Sequence, residues 1–535
     1  QMGWPDFPVW TTKQATDLNF LACARAMLEA KAAIYAQFAT HNAHTLCSVR
    51  EIAKSAGNES YEFQRLHGMG EPLYDAAFAA FEMKPVRVYA PVGSHEDLLP
   101  YLVRRLLENG ANTSFVHSFL DPDVPPEEVA RGPFEGADAL DRHPFISAPP
   151  ELYGPRRRNA AGVDLSQASV RSRLEQAQAS FDAGAPYEAG AIVNGRELCV
   201  GGEARFSPAD DRFEVARVRD ADDKAVDEAF EAAAAAFHDW DAKGGPARAQ
   251  ILRDMANALE ADADRLIALM ARETGKTLAD GVAEVREAVD FLRFYAVEAE
   301  DKFAGPERLP GPAGETNHLG LSGRGVFVCV SPWNFPLAIF TGQLSAALAA
   351  GNAVIAKPAE QSPLIAYEAV KLFQAAGLPK SVLHLLPGDG TLGAALVDHP
   401  RTAGVAFTGS TEVARRINQA LAAKDGPITP LIAETGGLNG MFVDTSALQE
   451  QVIDDAIHSA MGSAGQRCSA LRVIFLPEDV ADPLIERLKG AMDELTVGDP
   501  ALASTDIGPV IDQDAYDTLE AHLKDMDSRP SGPHR

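Results

Sequence analysis

Three groups of residues have types and spacings that chemistry can use. Ser463–Ala470 (SAGQRCSA) sets Cys468 among small neighbours, directly after Arg467. A free thiol has a pKa near ~8.5, and nucleophilic use needs a helix N-terminus or a cation that favours the thiolate. An isolated cysteine is also a common inert core residue, so this segment alone leaves both readings open. Arg104 and Arg105 are adjacent on a helix-like stretch. Paired guanidinium forks suit a carboxylate, and they equally suit a solvated helix face. His41 and His44, spaced as HNAH, lack the acidic partner of a helical zinc motif, so no metal is expected.

These side chains need elements to position them. In residues 1–118, Tyr35–Thr40, Tyr61–Leu66 and Val86–Pro91 read as strands. Asp97–Asn109 reads as an amphipathic helix through Leu98, Leu102 and Leu106, stopped at Asn109-Gly110. Strands alternating with helices belong to an α/β barrel or a doubly wound sheet. Residues 119–185 carry Pro122, Pro125, Pro126, Pro133, Pro144, Pro149, Pro150 and Pro155, then Arg156–Arg158, and read as a linker.

From about residue 186 to 535 a second domain is expected. Val226, Phe230, Phe237 and Trp240 line one helix face, and Val282, Val285, Val289 and Leu292 line another. Strands are predicted at Gly325–Val330, Ala353–Ala356, Val382–Leu386, Gly404–Phe407 and Gly440–Val443. Helices are predicted near 337–349, 363–376, 391–398, 412–423 and 448–461. Such alternation implies a parallel sheet covered on both faces, with ligands at the carboxyl ends of its strands.

A chain of 535 residues is too long for one ordinary core, so at least two domains are expected. Acidic residues outnumber basic ones 76 to 48, a formal charge of −28 that repels phosphate backbones, so no nucleic-acid contact is expected from this segment. The five cysteines include no CxxC pair, which suits a reducing, cytoplasmic setting and argues against a disulfide framework. No apolar run approaches the ~18 residues of a membrane span. The start, QMGWPDFPVW, and the end, Ser528–Arg535 (SRPSGPHR), both read as cut ends.

Five segments occur in the order and spacing of the aldehyde dehydrogenase superfamily: Ser331–Pro336 (SPWNFP), Lys357–Pro363 (KPAEQSP), Phe407–Glu412 (FTGSTE), Glu434–Gly437 (ETGG) and Gly465–Ser469 (GQRCS). This resemblance implies that Cys468 attacks an aldehyde and that Asn334, with the Cys468 N–H, holds the oxyanion. It also implies that Glu434 activates the water that cleaves the thioester. It further implies NAD as cofactor, with Lys357 and Glu360 on the adenine ribose and Gly409 and Ser410 at the pyrophosphate. An acid at the ribose favours NAD over NADP. Many relatives carry Gly where this chain has Ala414. The dehydrogenase region is expected to divide at about residue 433, with a cofactor-binding part over 186–433 and the start of a catalytic part over 434–535. Resemblance fades after Leu523, so the nicotinamide-ribose segment, substrate loop and oligomerisation hairpin of the superfamily are expected beyond this chain.

The N-terminal residues resemble a different family. Val9–Asp17 (VWTTKQATD), Phe38–Thr45 (FATHNAHT), Phe63–Gly70 (FQRLHGMG), Tyr89–Asp97 (YAPVGSHED) and Tyr101–Asn112 (YLVRRLLENGAN) look like the later part of a proline dehydrogenase (β/α)₈ barrel. By that resemblance Tyr89, Arg104 and Arg105 hold proline, and Thr11, Lys13, Thr16, Thr40, His41, Asn42 and Glu108 contact FAD. A barrel of this kind takes about 250 residues. Only about three of its strands are read here, so flavin retention and proline oxidation are expected of a longer parent and not of this chain.

The two signatures together resemble bifunctional proline-oxidising enzymes of the PutA type: a partial barrel, then a Rossmann-like parallel α/β dehydrogenase domain. The substrates implied are proline, then pyrroline-5-carboxylate, which opens to glutamate semialdehyde and is oxidised to glutamate. For the parent the resemblance implies a homo-oligomer, a quinone or membrane electron acceptor, and a cytoplasmic or peripheral membrane location. Alternatives are an aldehyde dehydrogenase of other specificity beside a vestigial barrel, or an inactive fragment of a parent that also represses transcription.

Overall fold

The computed structural model describes residues 2–110, 123–129, 132–134 and 142–528. They form two compact units: Asp6–Ala148, and Gln1–Pro5 together with Pro149–Arg535.

In the first unit, strands β1 (Ala36–Ala39), β2 (Tyr61–Leu66) and β3 (Val86–Tyr89) form a parallel sheet in sequential order. Period-2 alternation puts Phe38, Tyr61 and Phe63 in the core with Leu46, Val49 and Tyr74 from the flanking helices. Strand β3 is largely exposed. The helix Lys13–Glu29 precedes the sheet. Ala43–Ala56, Glu71–Ala80 and His95–Gly110 follow the three strands in turn. The repeating strand-then-helix order is that of a barrel segment, in which candidate ligand groups collect where strands end.

The second unit opens with a helix the sequence did not reveal. Ala168–Gly184 lies inside the stretch read as a linker, and its Leu174 and Phe181 enter the main core. The prolines that mark a connector stop at Pro155, and the helix begins well after them. Strands β4 (Tyr187–Val193), β5 (Arg196–Leu198), β6 (Glu203–Ser207) and β7 (Asp210–Arg219) come next. Four helices follow: Asp223–Ala242, Gly245–Ala261, Ala263–Glu273 and Leu278–Lys302. A small hairpin of β8 (Glu307–Leu309) and β9 (Asn317–Leu319) leads into the alternating region.

There the strands are β10 (Val326–Val330), β11 (Ala353–Lys357), β12 (Leu383–Leu385), β13 (Thr402–Gly409) and β14 (Leu431–Thr435), all parallel. Each expected strand and helix of this stretch is present within a few residues of its reading, and β14 is an addition to it. The full sheet runs β14-β13-β10-β11-β12-β4-β7-β6, with β5 on β4, and β4 meets β12 antiparallel. The sheet is therefore mixed, with a parallel half that carries the alternating helices.

Side chains of β10 alternate between two cores. Phe327 and Cys329 pack with helices Gly245–Ala261 and Leu278–Lys302, while Val326 and Val328 pack with Phe230 and Ile417 on the opposite face. Burial on both faces is why these strands read as continuous apolar runs. After β14 the chain adds β15 (Asn439–Phe442), helix Gln449–Met461, β16 (Leu471–Phe475) paired parallel to β15, and helices Glu478–Asp493 and Gln513–Ser528.

Candidate active site

The strand order places β10 at the point where the winding reverses: β11 and β12 extend to one side of it, β13 and β14 to the other. Loops leaving β10 and β13 therefore diverge, and a crevice opens beyond their carboxyl ends. A cavity of about 600 Å³ lies there, lined by Pro332, Trp333 and Asn334 after β10, and by Thr408, Gly409 and Ser410 from β13. Its opposite wall is Ala464–Cys468, with Thr435 and Gly436 from the end of β14 and residues of the helix Gln513–Ser528.

Cys468 is half-buried and its thiol is free. The turn that delivers it is tightly wound: Ser463 and Ala464 both take left-handed backbone, φ 55° and 54°, before Gly465 at 69°. Non-glycine residues pay roughly 1–2 kcal/mol each for that conformation, so other contacts must hold the loop. Gln466 accepts the Ile511 N–H at 2.9 Å and donates to the Ser463 and Pro509 carbonyls. Arg467 is ion-paired with Asp280. The Asn439 amide donates to the carbonyls of Cys468 at 2.8 Å and Ala470 at 2.9 Å. Asn334 donates through Nδ2 to the Gln466 carbonyl at 2.9 Å.

Behind the Asn334 loop sits a buried acid. Glu284 accepts the Leu337 and Ala338 N–H groups at the start of the helix Ala338–Ala349, and pairs with Lys276 at 3.3 Å. Burial pushes its carboxyl above the usual range, against the pull of Lys276 and the two backbone donors. Glu273 caps the helix Pro363–Ala375 in the same way, at Leu364 and Ile365, and burial raises it to about 8. Both acids take up orphan donors of a helix start by long range rather than from a local cap.

The expected site residues fall unevenly around this centre. Cys468, Asn334, Gly409 and Ser410 line one cavity. Lys357 ends β11, is buried, and is held below the usual lysine range by that burial, with Glu360, Asp389 and Asp220 opposing the shift. Glu360 is exposed three residues on. Ser410 caps the helix Thr411–Ala423, its hydroxyl accepting the Val413 N–H at 3.2 Å, and Ala414 is buried in that helix. A buried amine and exposed acid after β11, with a glycine turn and helix N-terminus after β13, flank the end of β10 and fit a dinucleotide's ribose and pyrophosphate. Glu434 is set apart. It lies on edge strand β14 in register with Thr408, its side chain is exposed, and its two successors line the cavity while it does not.

In the first unit, Thr40, His41 and Asn42 follow β1 and Tyr89 ends β3. Asn42 caps the next helix at His44 and Thr45, and the Thr40 hydroxyl accepts the Asn42 N–H. His41 accepts the Leu66 N–H at 3.4 Å, and burial lowers its pKa. Thr11 accepts the His143 N–H, Thr16 donates to the Thr12 carbonyl, and Lys13 pairs with Asp17. Arg104 is exposed, and Arg105 stacks over Tyr101. The side chain of Glu108, and Asn112 of the same motif, lie outside the described residues. The hydroxyl, imidazole and amide of Thr40, His41 and Asn42 after β1, with Lys13 at the start of the first helix, are a donor set suited to a flavin's phosphates and ribityl chain.

Asp280, Glu284, Lys276, Gln466 and Asn439 were not anticipated as parts of the site. One signal was available: Asp280 and Glu284 continue the i, i+4 row of buried Ala288 and Leu292, where an apolar residue would be the default.

With the cavity placed, the comparisons decide the family. Residues 202–529 match the model of the aldehyde dehydrogenase family, which extends the likeness past Leu523. This chain belongs to the aldehyde dehydrogenase family. Residues 1–118 match proline dehydrogenase. The bifunctional protein PutA of Klebsiella aerogenes is 46% identical over 98% of this chain and 40% of its own length. The 1-pyrroline-5-carboxylate dehydrogenase of Geobacillus sp. strain WCH70 is 36% identical over 68% of this chain and 71% of its own. A crystal structure of a Bradyrhizobium japonicum proline utilization A (PutA) mutant matches with TM-score 0.82 and 48% identity, over 100% of this chain and 52% of that one. The chain thus pairs the two families in the PutA order while spanning about 40% of the length of the curated PutA relatives it matches. No described helix is long and apolar enough to cross a membrane.

Proposed function

We propose that the second unit oxidises glutamate semialdehyde to glutamate with NAD, through a thioester on Cys468. The observation that carries this reading is the meeting of Cys468, Asn334 and the Gly409–Ser410 turn on one cavity. Cys468 attacks the aldehyde carbon. An Asn334 amide carries two N–H groups; one is held by the Gln466 carbonyl, and the other is available to the oxyanion. The chemistry that NAD would supply when bound is that of a hydride acceptor for the Cys468 adduct. Lys357 and Glu360 would hold its adenine ribose, and Gly409 and Ser410 would admit its pyrophosphate to the helix start. Glu434, exposed on β14 just before the cavity-lining Thr435 and Gly436, would deprotonate the water that releases the product once its side chain turns towards the cavity.

For the complete protein we extend the reading to FAD-dependent oxidation of proline to pyrroline-5-carboxylate. There Tyr89, Arg104 and Arg105 hold the substrate carboxylate, and Thr11, Lys13, Thr16, Thr40, His41, Asn42 and Glu108 hold the flavin. A quinone or membrane acceptor, a homo-oligomeric state and a cytoplasmic or membrane-peripheral site belong to that extension. The test is NADH formation from glutamate semialdehyde against a simple alkyl aldehyde. Preference for the semialdehyde, lost in Cys468→Ala, supports the proposal; equal use of both aldehydes would remove the assigned specificity.

A further inference from the structure

Strands β10 and β13 pair as far as Val330 and Phe407. The next residues, Ser331 and Thr408, start the two lips of the crevice: Pro332, Trp333 and Asn334 follow the first, and Gly409 and Ser410 follow the second. The ladder between β10 and β13 has ended there, while Thr408 and Gly409 still pair with β14, so backbone bonds no longer join the two lips to each other.

One side chain spans the gap. Gln343, on the helix Ala338–Ala349, accepts the Ser331 hydroxyl at 2.7 Å. Its amide nitrogen donates to the Val330 carbonyl at 3.2 Å and to the Thr408 hydroxyl at 3.0 Å. A primary amide offers an acceptor and two donors on one planar end, and all of these functions are engaged. Ser331 is tied onward, since its N–H donates to the carbonyl of Lys357 at 3.1 Å. One amide therefore links the strand ends that carry Asn334, Lys357 and the Gly409–Ser410 turn.

We propose that Gln343 is a positioning residue of the dehydrogenase site, a strut that fixes the aldehyde lip against the pyrophosphate lip. The inference rests on the dehydrogenase reading above. Hydride transfer demands close placement, and a misplacement of about 1 Å can cost ~10²-fold in rate. Gln343 touches no reacting atom, so its effect must pass through Ser331 on one side and Thr408 on the other.

The test uses Gln343→Leu in the full chain, with three readouts: amide hydrogen exchange without ligand, NAD dissociation constant, and turnover at saturating NAD. Exchange is expected to rise by about tenfold in residues 331–335 and 408–411 together, with NAD affinity and turnover each falling about tenfold. Thr408→Val should weaken NAD, and Gln343→Leu added to it should change the NAD constant less than about twofold further, as coupled partners do. Ser331→Ala should lower turnover and leave the NAD constant within about threefold. If Gln343→Leu fails to fold, Gln343→Glu keeps the shape and the acceptor but loses both donors when ionised. It should lose activity at high pH and regain part of it as the carboxyl protonates. Faster exchange in one lip or neither, Gln343 and Thr408 effects that multiply, or a Gln343→Glu profile identical to the parent's would overturn the proposal. Lack of NAD binding by the unaltered chain would instead overturn the dehydrogenase reading, and the exchange result would still decide the strut.

Discussion

The Asn334 side-chain amide donates to the carbonyl of Gln466 at 2.9 Å, two residues before Cys468. Residues 132 positions apart are thereby locked together, and the loop that carries Asn334 is fixed against the loop that carries Cys468. Asn334→Ala should lower turnover by about 10²–10³-fold, the usual cost of one oxyanion donor. It should also speed alkylation of Cys468 by iodoacetamide, because the loop loses a tether. Unchanged turnover would separate Asn334 from the chemistry.

Cys468→Ala should reduce aldehyde oxidation by at least about 10³-fold while NAD still binds. Glu434→Gln should act later in the cycle. A burst of NADH followed by a slow steady state is expected in rapid-mixing absorbance, since thioester hydrolysis becomes limiting. A loss of the burst itself would place Glu434 before the thioester.

Glu360 stands near the buried amine of Lys357. Glu360→Gln removes the charge that would repel a 2′-phosphate, and the ratio of kcat/KM for NADP over NAD should rise about tenfold. Steady-state assays with both cofactors measure it, and a constant ratio would move ribose selection elsewhere.

Asp280 and Arg467 are ion-paired and both largely buried. Asp280→Ala leaves the Arg467 charge without its partner beside Cys468 and should cost roughly 2–4 kcal/mol of stability by urea titration. Asp280→Asn, which keeps an acceptor for the guanidinium, should cost less than half of that.

Glu273 is raised to about 8, chiefly by burial. Its folded pKa exceeds its unfolded value of about 4.3, so the folded state binds the proton more tightly. The stability it contributes is complete below about pH 4 and is lost as pH rises towards 8. Burial raises Glu284 in the same direction. The urea midpoint of the second unit should therefore fall between pH 5.5 and 8.5, and Glu273→Gln should flatten that fall. A midpoint that climbs over this interval would contradict the assignment.

Local patterning was enough to find the alternating half of the second unit. The strands β10 to β13 hold apolar runs because both faces of the sheet are buried there, whereas the exposed edge strand β14, with Glu434 and Thr435, has no such run and was not read. The motif around Cys468 was legible only in company, since its residue types alone left an inert thiol open and the resemblance of five ordered segments singled it out. The helix Ala168–Gly184 was hidden by the prolines before it and by its weak amphipathic contrast. Tertiary structure alone decided the rest. It set β4 antiparallel against β12, put Gln343 across two strand ends, and brought Asp280 to Arg467 over 187 positions. Periodicity records which face of an element is buried, but not which distant charge or amide meets it there. Those pairings follow from the order of strands in the sheet, fixed only when the whole chain packs.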